Sequence, residues 1–259
     1  MNKNTKRIKM TVWYMNGAGN NFAVIDARNI CIDMSRAAKL LCENGKYDGF
    51  MALDKSAIAD FKLHFYNNDG SRAEMCGNGA RCICRFAYDN GITEEKMTIE
   101  TDAGIVEGER LSECLYRIRL NDAKGLTLDK EKGLDFVTVG VPHVIIKLDE
   151  LEYENASELF ERARKTRYEQ NANVDFYCKI NESTVKILTY ERGVEDFTKA
   201  CGTGSGALAA ILFERKIIDK NEVTVKNRGG DLKVTLTLNG ALHLEGRADV
   251  DAKTEKITV

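Results

Sequence analysis

The chain has 259 residues, enough for one large domain or two small ones. Apolar residues make up 43% and charged residues 30%, and the net charge of −2 argues against an electrostatic pull towards nucleic acid or an anionic membrane. No apolar run reaches transmembrane length, and no signal-peptide core follows the basic start MNKNTKRIKM, so a cytoplasmic location is expected.

Taken in chain order, short runs rich in Val, Ile, Thr and aromatics predict strands at 11–15 and 23–25. A helical period follows at 35–43, then a strand at 59–66. Next comes Met75-Cys76-Gly77-Asn78-Gly79-Ala80, a cysteine before a Gly-polar-Gly turn, running into a helix at 82–90. Strands are expected at 97–101, 104–109 and 115–120, and a boundary near 123–127. The second half predicts strands at 135–139 and 144–147, a helix at 156–165 and a strand at 185–189. It then repeats the cysteine turn as Ala200-Cys201-Gly202-Thr203-Gly204-Ser205-Gly206-Ala207, leading into a helix at 206–215. Strands at 222–225, 232–238 and 241–245 close the chain, with Asn239-Gly240 as a hairpin turn.

The two halves thus share one order: strands, cysteine turn, helix, antiparallel meander. A duplicated α+β unit is expected, with domains 1–124 and 125–259 and a tail at about 249–259 packing back on the first. The helix after each cysteine turn is mostly apolar, as a helix wrapped by a sheet should be. Two such helices would aim their N-termini, and both thiols, at a cleft between the domains.

Helix N-termini present unpaired N–H groups and a positive dipole end. That environment binds carboxylates and lowers thiol pKa values. Cys76 and Cys201 are therefore read as a pair of acid/base groups facing one anionic substrate. The other six cysteines, Cys31, Cys42, Cys82, Cys84, Cys114 and Cys178, are read as small core residues, and Cys82/Cys84 as too sparse for a metal site. The 16–22 segment lacks the remaining parts of a phosphate loop. Asn67 belongs to an Asn-Asp-Gly turn but is also a candidate amide ligand. His143 follows the chain's only proline, Pro142, and is either a loop residue or an oriented acid/base helper. Glu191-Arg192 is either a surface ion pair or a carboxylate grip with Glu191 polarising a neighbour.

These motifs resemble the diaminopimelate epimerase family. The likeness rests on GAGNNF at 17–22, Asp48-Gly49, NNDGSRAEMCGNGARC at 67–82, GVPH at 140–143, ANV at 172–174, YERG at 190–193 and ACGTGSGA at 200–207. The resemblance implies that Cys76 and Cys201 are the catalytic acid and base. It implies that backbone N–H groups at Gly77-Asn78 and Gly202-Thr203 hold the substrate's α-carboxylate. It places Asn20, Asn67, Asn173, Glu191 and Arg192 around the substrate, with His143 and Glu191 as helpers. It implies two pseudo-symmetric domains, a small amino acid as partner, no cofactor and no metal, and leaves room for a homodimer. Asn21 stands where the family usually has Asp, and Val141 where it often has Asn; Arg228 replaces a common proline, and the segment between ERG and ACG is one residue longer. A related two-cysteine racemase acting on another amino acid such as histidine, a single-cysteine hydrolase using His143, and a non-catalytic member of the fold are the competing readings.

Overall fold

In the computed structural model, which describes residues 8–73, 76–129, 131 and 133–258, strands predominate and are interrupted by four α-helices among these residues. The helices are α1 (Met34–Leu41), α2 (Gly77–Asp89), α3 (Ala156–Gln170) and α4 (Gly202–Glu214). The basic segment 1–7, and the Met75 that opens the first cysteine motif, lie outside the described residues. The architecture is α+β. The chain forms two compact units, Met1–Tyr116 with Arg247–Val259, and Arg117–Gly246.

In the first unit, Ile8–Gly17 pairs antiparallel with Asn20–Asp26 and with the last strand, Asp249–Thr258. Asn20–Asp26 runs parallel to Gly49–Asp54, with α1 in the crossover. Gly49–Asp54 pairs antiparallel with Phe61–Asn67, which runs parallel to Lys96–Thr101 after α2. Gly104–Arg110 completes a hairpin with Lys96–Thr101. Side chains alternate across these strands, and both faces are covered. Tyr14, Ala23, Phe50 and Ala52 pack under α1. Trp13, on the other parity, meets Phe86 of α2 edge-on at 5.0 Å.

The second unit repeats this plan. Asp135–Val139 pairs antiparallel with Val141–Lys147, which runs parallel to Asn173–Asn181 across the α3 crossover. Asn173–Asn181 pairs antiparallel with Thr184–Glu191, which runs parallel to Glu222–Asn227 after α4. Gly230–Leu236 and Leu242–Arg247 form the closing meander. Residues 124–127, where the composition suggests a boundary, form a strand on Asp135–Val139. The helix α4 is apolar all round and packs against strands on several sides, including Asp135–Val139, Val141–Lys147 and Gly230–Leu236. Burying Leu208, Ile211 and Leu212 completely contributes about 2 kcal/mol each.

The helices after the cysteine turns begin at Gly77 and Gly202, five and four residues earlier than their periodicity predicts. The glycines of each turn are poor helix formers, so local propensity places the start too late. Tertiary burial overrides it: Gly77, Asn78 and Gly79, and Gly202 and Gly204, are all buried. Cys82 and Cys84 are buried, and their sulfurs pack where Gly17 and Gly108 leave no Cβ. Burial pushes the Cys84 thiol up to about 12. Cys31 is exposed, so the core reading fails for it. Among the described residues no group of three or more His, Cys, Asp or Glu could hold a metal ion, and no helix is long and apolar enough to cross a membrane.

Candidate active site

Cys76 and Cys201 occupy the same structural position in their units. Each is the N-cap of the buried helix, with extended backbone angles of φ −131° and ψ 123° at Cys76 and φ −116° and ψ 114° at Cys201. The carbonyl of each accepts the first helical bond, from Ala80 at 2.7 Å and from Ser205 at 3.0 Å. A thiol at an N-cap sits beside the helix's orphan N–H groups. At Cys201 one of these, Gly204 N–H, donates to the sulfur at 3.4 Å.

The strands of the second unit deliver the surroundings of Cys201 by parity. His143, Asn173, Asp175, Thr189 and Glu191 are all odd-numbered. They sit on adjacent strands in register, His143 beside Asn173 and Asp175 beside Thr189. The even-numbered Val144, Ile146, Val174, Phe176 and Tyr190 point the other way, into the core under α3. His143 is thus a strand residue with a fully buried side chain, not a loop histidine. Its Nδ1 lies 2.6 Å from Asp175 Oδ2, and Thr189 Oγ1 donates to Asp175 Oδ1 at 2.6 Å. In the tautomer that carries its N–H on Nδ1, facing the carboxylate, Nε2 is an acceptor. Nε2 is 3.1 Å from Thr203 Oγ1, which is itself 3.4 Å from Cys201 Sγ. A hydrogen-bonded path therefore runs from Cys201 through Thr203 to the His143–Asp175 pair.

The sequence does not single out Asp175, which is one acid in the apolar run Val174-Asp175-Phe176. Its parity with Asn173 was the available signal. Its carboxylate lies so close to the start of α4 that a Cβ on Gly204 would be 2.5 Å from its Oδ1, so only glycine admits it.

The expectation that the helix start lowers the thiol pKa fails at Cys201. Burial and the charges of Glu191 and Asp175 raise it well above the usual thiol range, outweighing the opposing hydrogen bond with Thr203. Burial likewise raises the Glu191 carboxyl, against a hydrogen bond with Cys201, and the Asp175 charge adds to the rise.

Arg192 and Asn173 are joined, the Arg192 backbone N–H donating to Asn173 Oδ1 at 2.8 Å. The Arg192 guanidinium donates to the Asn171 carbonyl at 3.0 Å. In the first unit, Asn78 Nδ2 donates to Asn20 Oδ1 at 2.7 Å, and Asn20 Nδ2 to Asp48 Oδ2 at 3.3 Å, so Gly77, Asn78 and Asn20 gather beside Cys76. Asn67 Nδ2 donates to Ser71 Oγ at 2.9 Å, closing its own turn. The 17–20 segment is a tight hairpin turn with Ala18 and Gly19 at φ 50° and 87°, and Asn21 accepts from Asn16 at 2.6 Å.

The fold is that of a class of solved structures that includes a probable proline racemase and a hydroxyproline epimerase. Over 95% of this chain and 92% of the other, the structure superposes on a probable proline racemase from Agrobacterium radiobacter K84 with TM-score 0.69 and 14% identity. A phenazine biosynthesis protein of the PhzF family from Bacillus anthracis gives TM-score 0.73 at 17% identity, over 97% of this chain and all of that one. Within that class the diaminopimelate epimerase family model matches residues 12–113 and 136–250. Diaminopimelate epimerase of Aquifex aeolicus is 34% identical over 86% of this chain and 88% of its own length, and that of Archaeoglobus fulgidus 33% identical over 91% and 92%. The chain belongs to the diaminopimelate epimerase family. An epimerase is an isomerase, and the chain is classed accordingly.

Proposed function

We propose that this chain interconverts LL- and meso-diaminopimelate by two-base thiol chemistry without a cofactor, in the formation of lysine and peptidoglycan precursors. The observation that carries this reading is the repeated cysteine N-cap, supported by family membership. An amino acid Cα–H is a very weak acid. Inversion needs a base on one face of Cα and an acid on the other. A single side chain reaches both faces poorly, whereas two thiols, one ionised and one protonated, serve both and exchange roles with the hand of the substrate. The N–H groups of Gly77-Asn78 and Gly202-Thr203 receive the α-carboxylate, where charge accumulates as the enediolate forms. His143 and Glu191 stand near the α-ammonium and the Cys201 thiol. Asn20, Asn67, Asn173 and Arg192 receive the second amino-acid head, Arg192 with two parallel N–H bonds to its carboxylate. A one-headed substrate leaves such polar groups without partners, which disfavours it strongly. Val141 removes one contact, worth about 1 kcal/mol.

A single-cysteine hydrolase fits less well. His143 reaches Cys201 only by way of Thr203, and the matching N-cap at Cys76 would have no task. A stereochemical assay over a panel of amino acids tests the assignment. LL-diaminopimelate should give the meso isomer faster than histidine or proline is racemised. Faster inversion of a one-headed amino acid would overturn the substrate.

Glu191 carries a second expectation, with a sign fixed by linkage. Its folded pKa is raised, so its contribution to stability is greatest at acid pH and is lost as pH rises from the ordinary value of 4.5 through the folded one. Glu191→Gln should therefore melt at a higher temperature than the native protein at pH 7, with the gap shrinking at pH 4, while turnover falls. An equal loss of melting temperature at both pH values would contradict this.

A further inference from the structure

The two cysteine N-caps share their backbone but not their surroundings. Parity and register make Met51 of the first unit the counterpart of Asp175, and Phe65 the counterpart of Thr189. The glycines confirm this: a Cβ at Gly79 would meet Met51 Sδ at 3.1 Å, where one at Gly204 would meet Asp175. Cys201 therefore faces carboxylates, and Cys76 sits over an apolar layer. The helices differ in the opposite sense. Five residues after Cys76 stands Arg81, and five after Cys201 stands Gly206.

Arg81 is fully buried, a costly place for a guanidinium that keeps its charge at every working pH. Helical side chains lean towards the N-terminus, which carries Arg81 back over the first turn of α2. There Nη1 donates to the Gly77 carbonyl at 3.1 Å and Nη2 to Asn78 Oδ1 at 2.8 Å. Its Nε has no hydrogen-bond partner among the described residues. Both acceptors are neutral. The nearest carboxylate along this chain of contacts is Asp48, beyond Asn78 and Asn20. The strands packed on α2 turn Trp13, Phe22, Met51 and Gly108 towards it, none of them charged. Among the described residues, the other ionisable groups whose charge acts on Arg81 are the thiols of Cys76, Cys82 and Cys84, and Asp249 acts in turn on Cys82. Burial raises the thiols of Cys82 and Cys84 above their ordinary range. Cys76 alone of the three is partly exposed.

We propose that Arg81 is a positioning residue that acts as the buried counter-charge of a Cys76 thiolate, so that the resting protein holds Cys76 as the base and Cys201 as the acid. The unlike environments of the two thiols then set the starting protonation state, which no symmetric pair could do. The catalytic role of Cys76 rests on the function proposed above, but its charge does not, and the test reads the charge alone.

The test is the pH dependence of iodoacetamide alkylation at Cys76, followed peptide by peptide by mass spectrometry. In the native protein the Cys76 midpoint should lie at least one pH unit below the roughly 8.5 of a free thiol, and Cys201 should be alkylated only at much higher pH. Arg81→Gln should raise the Cys76 midpoint by about one unit or more, slowing alkylation at pH 7 about tenfold, and Arg81→Lys should restore most of the shift. A native midpoint at or above the free-thiol value overturns the proposal even if Arg81→Gln does not fold. A folded Arg81→Gln with an unchanged midpoint overturns it as well. Failure to epimerise diaminopimelate would leave these readings intact.

Discussion

Alanine at Cys76 or at Cys201 is expected to slow inversion of the α-carbon by at least about 10³-fold, because each removes one of two obligatory proton-transfer groups. The loss should fall on kcat, with binding of the substrate head groups largely kept. Stability should change little by comparison. Cys201→Ala forfeits the Gly204 N–H contact to sulfur, a cap interaction worth about 1 kcal/mol. Serine at either position keeps the shape and offers a much weaker acid, so proton chemistry should persist slowly or in one direction only. Thiol alkylation should inactivate, and substrate should protect. Near-native two-way turnover by Cys201→Ala, measured by stereochemical assay, would end the two-base reading.

Asp175→Ala should produce the second large effect, on both folding and rate. The carboxylate is fully buried, holds His143 Nδ1 at 2.6 Å and accepts from Thr189 at 2.6 Å. Removing one partner of such a buried pair costs about 3 kcal/mol, readable as a shift in the urea midpoint. His143 then loses its fixed tautomer, and Nε2 is no longer held as the acceptor facing Thr203. Because Asp175 acts through His143, the rate should fall by about 10²-fold, the scale of misplacing a catalytic neighbour. Asp175→Asn keeps the volume and can present its amide oxygen to the Nδ1 proton, so it should recover part of both losses. Equal rates for Asp175→Ala and the native protein would remove His143 and Asp175 from the proton path.

Two levels of structure were unequally readable from the residues. The paired cysteine turns carry their own signal, because glycine next to a thiol at the head of an apolar helix has few purely structural uses. Their placement at helix N-caps follows. The strands Gly49–Asp54 and Asn173–Asn181 carry little signal, because each lies in a sheet covered on both faces and shows no clean alternation. Parallel partners separated by a helix leave no turn signal between them either. The same burial hid Asp175 and Arg81. A lone charge in an apolar run reads as an interruption of the pattern, and only the register of neighbouring strands, or the turn of a helix, reveals what it faces. Pro142 leaves His143 open between a loop residue and an oriented helper, because a proline reads as a turn; yet proline is tolerated near the start of this strand, and His143 lies inward from it.

The central claim is that two different groups handle the departing and the arriving proton. Its most direct test is an early time course in D2O starting from unlabelled LL-diaminopimelate, with substrate and product separated and analysed by mass. The proton removed stays on one thiol while the opposite thiol delivers deuterium from solvent. Deuterium should therefore appear at the inverted α-carbon of the meso product and be absent from recovered LL substrate. Equal labelling of substrate and product at low conversion would mean that one group serves both faces, and the two-thiol account would fail.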